Sequence, residues 1–229
     1  MKLRLAFALA AAATAFTAPA LAAAQPQAAQ PDWSRNVVLT PEGGFRMGNP
    51  DAPMKLVEYG SLTCGHCADF ATQSKTRLIA SHVRSGRVSF EFRNYVLNGF
   101  DVTASLLARC AGPDGFFTVA NRMYETQQGW AGRIEAISQA EKQRIMGLPQ
   151  DQAFLAVAEA GGLMELAAQS GLAPDRGRQC LGDTAAIGQL ERMAQAAEAL
   201  GVQGTPTFFL NGARLEVNTW PEIEPLLGG

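Results

Sequence analysis

The sequence predicts an α/β domain in which a long helical insertion splits one open sheet. Three stretches carry that expectation: a strand–helix–strand unit over residues 54–93, a run over 101–201 without a convincing strand, and a terminal hairpin with a closing helix. Taken in order, residues 54–61 (MKLVEYGS) present apolar side chains on both alternating faces, as a central strand does. After Leu62-Thr63 a helical pattern runs over 64–81, with Ala68, Phe70, Ala71, Leu78 and Ile79 available for burial. Ser61 or Thr63 is suited to cap it. Gly86 ends the connection, and residues 87–93 (RVSFEFR) alternate as Val88, Phe90 and Phe92, giving a second strand.

The stretch 101–201 is rich in Ala, Leu and Gln and is broken at Gly112-Pro113, 129–132, 147–149 and 171–174, so it reads as several short helices. Phe116, Phe117, Tyr124 and Trp130 belong to their core. Strand signals return at 207–210 and 214–217 on either side of Asn211-Gly212, a strong hairpin signal. Residues 220–227 form a closing helix.

The N-terminal end sets a compartment. Lys2 and Arg4 precede an apolar run over 5–16, Pro19 breaks it, and small residues follow in Ala20-Leu21-Ala22 and Ala22-Ala23-Ala24. That order marks residues 1–24 as a secretory signal peptide. The run is shorter than the roughly 20 residues of a membrane span, which weighs against an uncleaved anchor. Residues 25–40 read as a flexible N-terminal segment, and 41–229 as one folded domain containing the insertion. Hydrophobic residues make up 47% of the chain, enough for a proper core. The net charge of -2 becomes -4 when Lys2 and Arg4 leave, so no basic surface invites nucleic acid. In an exported chain the four cysteines divide by spacing: Cys64 and Cys67 lie three apart, while Cys110 and Cys180 stand alone.

Cys64-Gly65-His66-Cys67 follows a strand and opens a helix. Unpaired N–H groups and the helix dipole there favour a Cys64 thiolate, with a pKa in the range of about 3.5 to 7.5. Cys67 lies nearly one turn further, close enough to close a small disulfide ring, and His66 supplies a group that can be cationic or donate to the Cys64 sulfur. Stabilising the thiolate stabilises the reduced pair and makes its disulfide more oxidising. A closed zinc site would need four ligands, and only His82, Cys110 and Cys180 remain as further candidates. Glu58 shares a strand face with Met54 and Leu56, and the opposite face carries Val57 and Tyr59, so its carboxylate is expected to be desolvated and its pKa raised. Its alternatives are a surface position or pairing with Lys55.

Residues 58–67 (EYGSLTCGHC), the helical block and Gly204-Thr205-Pro206-Thr207-Phe208 together resemble the DsbA-like branch of the thioredoxin superfamily, over essentially the whole chain after residue 40. The resemblance implies a thioredoxin fold with a large helical insertion between the βαβ unit and the C-terminal hairpin and helix. It implies a periplasmic thiol:disulfide oxidoreductase without cofactor, in which Pro206 is cis and faces the active-site disulfide. The Thr205 backbone would pair with an extended substrate. Glu58 would exchange protons with Cys67, and Cys110 and Cys180 would form a structural disulfide, the alternatives being two buried free thiols or a resolving pair. Its partners would be reduced exported proteins and a quinone-linked, DsbB-like membrane oxidase, with the protein itself a monomer. Two residues depart from the pattern: Gly65 stands where the best-known oxidases have proline, and Thr205 replaces a branched aliphatic residue. Both leave open a reductase or isomerase using the same site. A metal-handling module built on Cys64, Cys67 and His66 is the competing reading of another class.

Overall fold

The computed structural model describes residues 31–228, and within them one mixed sheet of six strands carries the fold. The strands are β1 (Val37–Leu39), β2 (Phe45–Gly48), β3 (Met54–Gly60), β4 (Val88–Asn94), β5 (Thr207–Leu210) and β6 (Ala213–Arg214), in the order β1-β2-β4-β3-β5-β6. β3 and β4 run parallel, as a helix crossover requires, and every other pair is antiparallel. The crossover is α1 (Gly65–Ser74), which continues through a π-helical stretch (Lys75–Val83). The expected βαβ unit, helical block and terminal hairpin are all present.

Four local expectations are corrected. The segment 25–40 was expected to be flexible, yet a 3-10 turn (Trp33–Arg35) and β1 lie within it. β1 pairs with β2, whose Phe45 and Met47 point into the core, and Gly43 at φ 88 turns the chain between them. Phe45 stacks on Phe116 with ring centroids 4.1 Å apart, so this hairpin is held by packing rather than by its own short ladder. The cap of α1 is Cys64 itself, not Ser61 or Thr63. Residues 129–132 do not break a helix, because Trp130 is buried and donates from Nε1 to the Met123 carbonyl. The expected strand over 214–217 is cut to β6; its last bond is from Leu215 N–H to the Phe208 carbonyl, after which Leu215 and Val217 turn towards the core. The proposed leader, residues 1–24, lies outside the described residues.

The helical block comprises α2 (Gly99–Cys110), α3 (Gly112–Glu125), α4 (Gln127–Glu135), α5 (Gln139–Met146), α6 (Gln150–Gly161), α7 (Leu163–Gln169), α8 (Pro174–Leu181) and α9 (Thr184–Ala199). A disulfide joins Cys110 at the end of α2 to Cys180 in α8. One hydrophobic cluster runs from the sheet through α1 into this block. Phe70 of α1 is wedged between Phe208, Phe90 and Trp220 of the closing helix α10 (Trp220–Ile223). Each such buried ring contributes on the order of 2 kcal/mol, enough to fix α1 across the sheet and its N-terminus at the C-terminal end of β3. The opposite sheet face buries Tyr59 and Phe209 against Ala197 of α9. Among the described residues no helix is long and apolar enough to cross a membrane.

Candidate active site

β3 ends at Gly60, and the tight turn that follows is closed by Cys64 N–H donating to the Ser61 carbonyl. Cys64 then sits in extended conformation, φ -84 and ψ 120, as the N-cap of α1. Its sulfur accepts from the Cys67 N–H at 3.4 Å, the position a capping oxygen usually takes. A thiolate satisfies an orphan N–H better than a thiol does, so the cap itself favours ionisation. The structure holds Cys64 and Cys67 as free thiols, the first half-buried and the second fully buried.

The two sulfurs are pushed in opposite directions. A hydrogen bond from the Cys67 thiol, aided by the N–H groups of Cys67 and His66, holds the Cys64 pKa down at about 5 against its burial. Burial, the bond to Cys64 and the Glu58 charge push the Cys67 thiol well up. A neutral-pH dithiol is therefore a Cys64 thiolate beside a Cys67 thiol.

Glu58 lies on the inner face of β3, opposite Phe92 of β4 and Phe208 of β5, and is 2% exposed. The surface and Lys55-paired alternatives are thereby removed. Its Oε1 has no hydrogen-bond partner, and burial, with the Cys64 charge second, raises its pKa to about 8. Gly60 leaves room for it: a Cβ there would collide with the Phe92 ring and approach Glu58 Oε1 to 2.8 Å.

Across the cleft the Thr205-Pro206 bond is cis, and the Thr205 carbonyl lies 3.3 Å from Cys64 Sγ, where it accepts from the thiol. Cys64, Cys67, Glu58, Thr205 and Pro206, scattered over some 150 positions of the chain, are thus gathered at one edge of the sheet. His66 is placed differently from expectation. Its ring is exposed and, among the described residues, makes no hydrogen bond to the Cys64 sulfur; its backbone N–H is what supports the thiolate. Gly65 is exposed too, and a Cβ on it would meet nothing within 4 Å. No group of three or more His, Cys, Asp or Glu side chains converges as a metal site among the described residues.

Sequence reasoning missed three side chains of the helical block that reach the turn before Cys64. Asp101 Oδ1 accepts from Leu62 N–H at 2.9 Å, Tyr124 donates to the Ser61 carbonyl at 3.1 Å, and Gln127 Nε2 donates to the carbonyls of Leu62 and Cys64 at 2.9 and 3.0 Å. Asp101 is fully buried, which raises its carboxyl to about 6. Asn98 four residues before Val102 signals a helix start, and nothing local signals the long-range partner. Beside Gln127 opens a cleft of about 840 Å³, running from Gly65 and Ala68 on α1 to Arg133 and Glu165 on the helical block.

A family model described as Thioredoxin matches residues 40–227, so the chain belongs to the thioredoxin family. Its fold, with the helical insertion, is DsbA-like. The crystal structure of a protein-disulfide isomerase from Novosphingobium aromaticivorans superposes with a TM-score of 0.74 at 29% identity, covering 80% of this chain and 97% of that one. Wolbachia pipientis alpha-DsbA1 gives a TM-score of 0.65 at 20% identity over 83% of this chain and 91% of its own, a likeness of fold. A Rickettsia bellii relative named "Putative protein-disulfide oxidoreductase" is 25% identical over 180 residues, which is 76% of this chain and 60% of the relative. The chain thus spans about three-fifths of the length of that curated relative.

Proposed function

We propose that this protein is an exported, periplasmic thiol:disulfide oxidoreductase that introduces disulfides into exported proteins through the Cys64–Cys67 pair. The observation that carries the reading is the split between the two sulfurs. Cys64 is ionised at an open helix cap beside cis-Pro206, while Cys67 is buried above a carboxyl whose pKa is about 8.

The cycle starts from the Cys64–Cys67 disulfide. A substrate thiolate attacks Cys64 Sγ; a new S–S bond forms, the Cys64–Cys67 bond breaks, and Cys67 departs with the electron pair. Glu58, largely protonated at neutral pH, returns a proton to Cys67. A second substrate thiolate then attacks the substrate sulfur of the mixed disulfide, and Cys64 leaves as a thiolate. Its low pKa makes it a good leaving group and stabilises the reduced product, so electrons flow from substrate to enzyme. The dithiol carries both electrons and no cofactor is required. Thr205 offers backbone groups to an extended substrate. A quinone-linked, DsbB-like membrane partner returns the pair to the disulfide, and the protein acts as a monomer.

A second reading, isomerisation at the same site, is favoured by Gly65 and by the likeness to the Novosphingobium protein-disulfide isomerase. The two separate in a glutathione-buffered titration of Cys64–Cys67 run beside refolding assays. The oxidase reading expects a potential well above thioredoxin's and rapid oxidation of a reduced, disulfide-containing protein. A thioredoxin-like potential, or faster rescue of a scrambled protein than oxidation of a reduced one, would contradict it. Metal analysis of the reduced protein tests the metal-handling reading, which needs tightly bound copper or zinc.

A further inference from the structure

We infer that Gln127 is a positioning residue for the Cys64 sulfur: its side-chain amide pins the carbonyls of Leu62 and Cys64 and so fixes the turn that makes Cys64 the cap of α1. The inference rests on the reading of Cys64 as the exchanging sulfur.

Other bonds hold other points of the turn, Thr63 N–H donating to Ser61 Oγ at 3.1 Å and the two hydroxyls lying 3.0 Å apart, and none of them reaches the Leu62 carbonyl. Ser61 is tied at its carbonyl by Cys64 N–H and the Tyr124 hydroxyl, and Leu62 at its N–H by Asp101. The Leu62 carbonyl, in a residue with no exposed surface, receives its bond from Gln127 at 2.9 Å. The Cys64 carbonyl takes one bond from Ala68 N–H within α1 and a second from Gln127 at 3.0 Å. Gln127 thus bridges the Leu62–Thr63 and Cys64–Gly65 peptide units on either side of the Thr63–Cys64 peptide, and so restrains the backbone that sets the cap. Cys64 Sγ keeps its 3.4 Å contact with Cys67 N–H only while that extended conformation holds. A buried carbonyl left without a donor would rotate towards another one, and the sulfur would turn with it.

Gln127 is also not what holds the helical block to the sheet. That task falls to the Phe45–Phe116 and Phe90–Phe117 ring pairs and to the shared core. Its amide is buried, yet the residue lines the cleft that opens at Gly65, so it stands between the reacting turn and the room a Cys64-linked substrate would enter.

The test is made on the full-length protein with two variants, Gln127→Ala, which removes the donors, and Gln127→Glu, which keeps size and sets an acceptor against two carbonyls. Thiolate absorbance of the reduced pair is followed against pH, and the dithiol–disulfide equilibrium is measured in glutathione buffers. Both variants are expected to raise the Cys64 midpoint above the wild-type one and to shift the equilibrium about three- to tenfold towards the disulfide, the scale of one or two lost hydrogen bonds. Gln127→Glu should shift it more. Unchanged midpoint and equilibrium in a folded variant, even one that melts earlier, would overturn the inference, because a merely structural Gln127 lowers stability alone. Should Gln127→Ala not fold, Gln127→Glu decides. A wild-type pair that fails to exchange with glutathione would sink the proposed function, whereas the thiolate titration would still read Gln127.

Discussion

The molecule carries two cysteine pairs at opposite kinds of helix end. Cys64 caps the N-terminus of α1, whereas Cys110 is the last residue of α2 and Cys180 the last but one of α8. The partial positive charge at a helix start favours a thiolate, and the carbonyl-rich end disfavours it. The same residue type thus makes a labile, thiolate-forming pair in one place and a bonded tether between α2 and α8 in the other. What separates them is position on a helix, not cysteine chemistry.

The comparison breaks most sharply on removal of each pair. Cys64→Ser should reduce oxidative refolding of a reduced substrate to the uncatalysed rate, with the fold intact by circular dichroism. The Cys110→Ala/Cys180→Ala variant should keep its exchange rate per folded molecule. It should lose about 4 kcal/mol of stability to urea in the chain-entropy model, the two residues being separated by 70 positions. A change in the Cys64–Cys67 potential of that variant would mean that the two pairs are coupled.

Glu58 gives the next largest effect, and it depends on pH. Its folded pKa is raised, so its contribution is full below about 4.5 and is lost as pH rises through about 8. In the disulfide form Cys64 does not titrate and cannot offset this. Stability should then fall by several kcal/mol across that window, bounded by about 5 kcal/mol at about 1.4 kcal/mol per pKa unit. The fall is less than the full interval because the Cys64 charge that adds to the shift is absent. Glu58→Gln should flatten the profile of urea midpoints against pH, and a wild-type profile already flat would remove the buried acid from the mechanism. In the dithiol form the depressed Cys64 works the other way, its stabilisation fading as pH falls through about 5, so the two slopes oppose.

The smallest expected effect is at Gly65. It is the first residue of α1, a Cβ there meets open space, and Cys64 before it is extended, so proline fits. Gly65→Pro should stabilise by less than about 1 kcal/mol. It should leave the Cys64 midpoint nearly unchanged, since the N–H groups that support the sulfur belong to His66 and Cys67. A large shift would mean that the Gly65 peptide also supports the thiolate.

Local signals made the reactive pair legible: strand, turn and C-x-x-C in sequence, and Asn211-Gly212, both at positive φ, at the hairpin. Glu58 was legible because apolar neighbours on both faces of β3 imply burial. Pro206 was legible only through the resemblance, since nothing local distinguishes it from a proline at a strand start. β1 was missed because three residues are too few to show a period; its reason to exist is β2, and that of β2 is Phe116. Asp101, Tyr124 and Gln127 were illegible for the same cause. Asp101 looks like an acid in a first helical turn and Tyr124 like core, while their partners lie 39 and 63 residues away. At His66 the backbone N–H is what bonds the Cys64 sulfur, a contribution that side-chain chemistry does not signal.

The most direct test of the account is the thiolate absorbance of the reduced Cys64–Cys67 pair, followed against pH with Cys110–Cys180 intact and Cys64→Ser as the blank. The account predicts a midpoint near 5, assigned to Cys64 by its loss in the blank. A midpoint near the ordinary thiol value of 9.0 would contradict it, because a cap that does not ionise its cysteine leaves the two pairs chemically alike.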